Sequence, residues 1–130
     1  MPKKYDNKSN QNKIFLDTIS QDYPQDFYDW KVTAQFYTGL HRCYCVIVVK
    51  GLNVETSHKE NIKTLKSIDV DLSNNLFKLY KNSRQSRYDG FLNEESMLRI
   101  NQINFNDGVP LLKSIETEVL KYYPIKVPVI

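Results

Sequence analysis

The sequence predicts an all-α protein, and three observations carry that prediction. Glycine and proline are scarce, four and five among 130 residues, which leaves few turn signals. The apolar residues fall in long segments stepped by three and four positions. Hydrophobic residues make up 41% of the chain and aromatics 12%, enough for one folded core and, at this length, for one domain.

The elements follow in order. Residues 1–9 are polar and lysine-rich and read as a flexible basic tail. A single helical domain spans 10–123, and 124–130 is an apolar C-terminal tail that must lie on a surface or a partner. A first short helix starts near Asn10, carries Ile14, Phe15, Leu16 and Ile19 inward, and stops before Pro24. A second starts near Pro24 to Asp26 and runs to about Lys50, with Gly51 as its stop. Trp30, Thr33, Tyr37, Leu40, Tyr44 and Ile47 form its apolar stripe, and Lys31, Gln35, Thr38 and Arg42 form a narrow polar strip. So apolar a helix should be the central one.

Ser57-His58-Lys59-Glu60 has the form of a capping box, so a third helix opens there with Ile62, Leu65 and Ile68. Ser67 to Asp71 interrupts it before a helix with Leu72, Leu76, Phe77, Leu79 and Tyr80. Asn93-Glu94-Glu95 reads as an N-cap and acidic first turn for a helix with Met97, Leu98, Ile100 and Ile103. Asn106-Asp107-Gly108 should break it, and a last helix then runs from about Val109 to Tyr123, with Pro110 in its first turn.

The formal charge is +3, but its location matters more than its size. Lys3, Lys4, Lys8 and Lys13 against Asp6 place all of it in the first 13 residues. The remainder is balanced, so any anion site must be a local patch. Cys43 and Cys45 are the only cysteines. On a helix their side chains diverge by roughly 200 degrees and cannot bridge. With no apolar leader, the expectation is a reduced, cytoplasmic protein. Two cysteines and two histidines argue against a zinc site, no cofactor motif is present, and the run Cys43 to Val49 is too short to span a bilayer.

Tyr80-Lys-Asn-Ser-Arg84-Gln-Ser-Arg87-Tyr88-Asp89 is the chain's most chemically suggestive segment. Tyr80, Arg84 and Tyr88 are four apart, and Lys81, Arg84 and Arg87 three apart, so they share one broad cationic and aromatic face suited to phosphates and bases. The same residues also suit a plain helix C-terminus, where arginines offset the macrodipole before Gly90. His41, at the edge of the central stripe, reads as a hydrogen-bonded core-edge residue or an acid-base group. His58, in a first turn, reads as a solvent or capping residue, or as a proton donor and acceptor beside an arginine-held anion.

Three motifs together resemble the HEPN superfamily of small helical domains from prokaryotic toxin, defence and nucleotidyltransferase-associated proteins. They are Trp30-x2-Thr33-x2-Phe36-Tyr37-x2-Leu40-His41, Ser57-His58, and Tyr80-x3-Arg84-x2-Arg87-Tyr88-Asp89. The resemblance covers roughly residues 10–123. It implies an up-and-down bundle of four to five helices that forms a homodimer, with RNA, a nucleotide or a partner protein of a defence or toxin–antitoxin system as its ligand. Many members are metal-independent ribonucleases built on an arginine followed, after four to six residues, by a histidine. Here no arginine precedes either histidine, and the Arg84 to Tyr88 segment instead resembles the Ala-Arg-Tyr-Pro element of other relatives.

Three hypotheses follow. In the first, Lys81, Arg84 and Arg87 bind phosphate while Tyr88 or Tyr37 stacks a base. In the second, His58 or His41 performs acid-base chemistry on a ribose 2'-hydroxyl. In the third, Arg84 is structural and bonds a carboxylate such as Asp29 or Asp89.

Overall fold

The computed structural model describes residues 2–88 and 94–127, with side chains for all of these except 87 and 88. Five α-helices make an all-α bundle: α1 (Pro2–Asp22), α2 (Tyr28–Val49), α3 (His58–Ile68), α4 (Val70–Tyr88) and α5 (Glu94–Val119). Among the described residues there is no strand, and no helix is long and apolar enough to cross a membrane. As its apolar content predicts, α2 is central and packs against each of the other four helices.

The first correction concerns the N-terminus. Residues 2–9 are not a flexible tail but the first two turns of α1, which starts at Pro2, where a proline costs no helical hydrogen bond. Asp6 and Ser9 are buried. Leu16 is the inward residue of this helix, while Ile14 and Phe15 are each 48% exposed. The chain then turns through 23–27, where Phe27 adopts a left-handed conformation (φ 60°) and its ring meets Tyr23 edge-on at 5.0 Å.

The second correction is to the faces of α2. Trp30, expected in the core, is 57% exposed. The expected polar strip, Lys31, Gln35, Thr38 and Arg42, is instead fully buried against α1 and α5. It survives burial because most of its polar atoms have partners, Gln35 Oε1 being the exception. The Lys31 ammonium donates to the Tyr23 carbonyl and lies 4.6 Å from the Tyr28 ring centroid. Burial lowers its pKa, against an opposing pull from Asp26. Thr38 Oγ1 donates to the Ala34 carbonyl, and Gln35 Nε2 donates to the Phe105 carbonyl at 2.8 Å.

Local signals placed the remaining ends well. Gly51, at φ 76°, closes α2 with the paired bonds Gly51 N to Val48 O and Leu52 N to Ile47 O, the Schellman arrangement. Ser57 caps α3 by accepting from Glu60 N, and extended Asp69 separates α3 from α4 while its Oδ1 accepts from Leu72 N. α5, however, runs without a break through Asn106-Asp107-Gly108 and Pro110. Gly108 lies against Gln35, and a Cβ there would come within 2.1 Å of Gln35 Oε1. The glycine thus marks a close approach of α2 and α5 rather than a stop. α5 ends at Val119, short of Tyr123, and beyond it Ile125 is buried in the core. The expected cap at Asn93 and the tip of the C-terminal tail, 128–130, lie outside the described residues.

Candidate functional site

Three helices bring the singled-out residues to one face. His58 follows its Ser57 cap as the first residue of α3, and its ring packs edge-on against Phe36 (5.4 Å between centroids), Tyr37 (6.0 Å) and Tyr80 (6.1 Å). Tyr37 and His41 stand one turn apart on α2 with nearly parallel rings at 6.3 Å. Both histidines therefore face the same tyrosine. Tyr37, His41 and His58 are each half-buried, and Tyr80 is buried beneath Arg84.

Arg84 is exposed on α4. Its Nη1 donates to Tyr80 Oη at 3.1 Å and its guanidinium carbon lies 5.8 Å from that ring's centroid, so the tyrosine one turn back holds it. Lys81 lies over Phe77 at 5.7 Å. Arg87 and Tyr88 belong to the last turn of α4, but their side chains lie outside the described residues, as does Asp89.

His41 has a defined hydrogen-bond frame. Its Nδ1 is 2.8 Å from the Tyr37 carbonyl, which can only accept. That assigns the proton to Nδ1 and leaves Nε2 as the basic nitrogen. Burial lowers the His41 pKa from the ordinary 6.5, the Tyr37 carbonyl opposes this, and Lys8 and His58 add to the lowering. The imidazole is thus held neutral near pH 7, the state a general base requires. Asn12 Nδ2 approaches the same Nδ1 at 3.4 Å, and the Tyr5 ring stacks on His41 at 6.4 Å.

A second arginine, Arg42, holds the fold together. Arg42 is fully buried. Its Nε and Nη2 both reach Glu116 Oε2, at 3.0 and 2.8 Å. Nη1 donates to Ser9 Oγ, Asn10 Oδ1 and the Lys126 carbonyl, with Asp6 Oδ1 at 3.7 Å. Asp6 in turn accepts from Lys126 N. This network joins α1, α2, α5 and the C-terminal segment.

The cysteines offer no nucleophile at neutral pH. Burial pushes Cys45 up to about 12 and Cys43 well above its ordinary value. Among the described residues no group of three or more histidine, cysteine, aspartate or glutamate side chains could hold a metal ion.

Sequence reasoning singled out His41, His58, Lys81 and Arg84 but missed Tyr5 and Asn12, because their segment lay in or beside the expected tail. A second omission is a lysine face on α3, Lys59, Lys63 and Lys66, exposed beside Phe77. Comparison of the chain with protein-family models, with curated proteins and with solved structures yields no match.

Proposed function

We propose that this chain is a HEPN-like helical domain of a prokaryotic defence or toxin–antitoxin type system, which binds RNA or a nucleotide phosphate and works as a homodimer. The biological setting and the dimer rest on the motif resemblance. The binding chemistry rests on one observation: Tyr37, His41, His58, Tyr80 and Arg84 converge from three helices, with the arginine at the solvent side. Arg84 offers a fixed fork for a phosphate, and the half-buried Tyr37 offers a ring for a base. Arg87 and Tyr88 belong to the same proposed patch by their place on α4.

Binding of a fluorescent dinucleotide and of short single-stranded RNA, followed by anisotropy, tests this reading. Loss of one charge-assisted phosphate contact corresponds to about 10- to 100-fold in affinity, which is the effect expected of Arg84→Ala. Unchanged affinity in that variant would remove Arg84 from the site.

A second reading, a divergent metal-independent ribonuclease, is favoured by the two histidines flanking Tyr37. A neutral His41 is suited to accept the 2'-hydroxyl proton, with His58 as the partner acid and Arg84 offsetting the phosphorane charge. Here the measurement is RNA cleavage in EDTA. His58→Ala and His41→Ala should each abolish it, and cleavage that survives both would rule out this chemistry.

A further inference from the structure

The lysines of α3 stand on one side of a groove that continues the proposed site. Lys59, Lys63 and Lys66 line it together with Ile62, Ser73 and Phe77, and its volume is about 210 Å³. No carboxylate is among these lining residues. The two four- and three-residue steps put the lysines within about 60 degrees of each other on α3 and spread them over about 10 Å of axis. That is a row of charges, not a point. Phe77, on the opposite wall, is 45% exposed, and Lys81 lies over its ring.

Phe77 also links the groove to the histidine and arginine cluster. Its ring is 6.3 Å from that of Tyr80, which contacts His58 and holds Arg84. α3 and α4 are consecutive, and Ser73 Oγ donates to the Ile62 carbonyl between them. The groove therefore leads from Lys66 past Phe77 to Arg84 along one helical hairpin.

We infer that this groove is a track for single-stranded RNA, with phosphates along Lys59, Lys63 and Lys66 and a base on Phe77, continuing the strand whose phosphate Arg84 holds. This rests on the phosphate-binding reading above and names its substrate as a strand rather than a mononucleotide. An apolar groove edged by lysines, with an exposed aromatic on its wall, suits a single strand held without reading its sequence. An acidic peptide would satisfy the lysines, but the exposed part of the Phe77 ring suits the flat face of a base, so RNA is the better fit.

The test uses the full chain, a labelled dinucleotide and a labelled ten-nucleotide oligouridylate, with anisotropy measured across a salt series. Wild type should bind the longer probe at least tenfold more tightly than the shorter. The variant Lys59→Gln/Lys63→Gln/Lys66→Gln, at exposed helical positions that glutamine suits, should lose most of that ratio. Its log–log salt slope for the ten-mer should fall by about 2, the counterion release expected of three phosphate contacts on a single strand. Phe77→Ala should weaken the ten-mer about tenfold with its salt slope unchanged. Circular dichroism on each variant checks folding.

A wild type that binds the dinucleotide through Arg84 but gains nothing with length would overturn the track alone. A wild type that binds neither probe would overturn the track together with the reading it rests on. A ten-mer displaced equally well by polyglutamate at matched charge would assign the groove to an acidic protein instead.

Discussion

Arg42 and Arg84 sit on adjacent helices, each one turn beyond a hydroxyl-bearing residue, Thr38 and Tyr80, and they have opposite fates. Arg42 is wholly enclosed and meets Glu116, 74 positions along the chain, as well as Ser9 and Asn10 in the first helix. Arg84 is exposed, and its described bond is to the tyrosine four residues before it. Arg42 is a carboxylate-locked arginine, and Asp89, one of the carboxylates proposed for Arg84, lies outside the described residues. Enclosure among distant partners makes Arg42 a residue that holds the bundle, while Arg84 is exposed where a ligand can reach it.

The largest expected effect is therefore on stability at Arg42. Arg42→Ala leaves Glu116 and Asp6 against a buried site with no counter-charge and should cost about 3–5 kcal/mol. Arg84→Ala should stay within about 0.5 kcal/mol, as surface substitutions usually do. Urea unfolding of the two variants beside wild type measures both. Similar losses in the two would break the comparison.

The same divide explains what could be read from the sequence. Gly51, the Ser57 cap and the break at Asp69 were legible because each is settled within a few residues by backbone conformation and a nearby side chain. His41, His58 and Arg84 stand out in the sequence by type, and the fold brings them to one face. The N-terminal turns were not legible, because Asp6 and Ser9 find their partners at Arg42 and Lys126. The buried strip of α2 was misread for a related reason. Lys31, Gln35 and Arg42 look solvent-facing until the turn at Tyr23, α5 and α1 supply acceptors that no local pattern announces. The α3 lysines were overlooked because the charge balance was judged over the whole body, where acidic residues elsewhere cancel them.

An intermediate effect is expected at Gly108, where the sequence suggested a helix break and the fold has a helix contact. Gly108→Ala puts a methyl group where Gln35 Oε1 now lies, so the amide must move and its bond to the Phe105 carbonyl is strained or lost. The better helix propensity of alanine, worth up to about 1 kcal/mol, works in the opposite direction. Overpacking against a buried amide should still win, for a net loss of about 1–2 kcal/mol. Adding Gln35→Ala should make the second substitution less costly than it is alone. A double-mutant cycle that came out additive would mean that the two residues do not compete for space.

The smallest effect should appear at the open face, as a pH dependence centred on His41. His41 has an ordinary pKa of 6.5 when unfolded and a lower one when folded, chiefly because burial disfavours the imidazolium. Well above pH 6.5 the group is neutral in both states and contributes nothing to the pH dependence. As the pH falls through 6.5, the unfolded chain takes up the proton first, so stability declines until the folded pKa is passed and then levels off. Urea unfolding at pH 7.5 and 5.5 keeps carboxylates with ordinary pKa values largely ionised while sampling this decline. His41→Gln should lose less stability between those two pH values than wild type does, whatever its stability at pH 7.5. If the two proteins decline in parallel, the acid sensitivity belongs to another group, and His41 would not be held neutral by its place between Tyr5 and Tyr37.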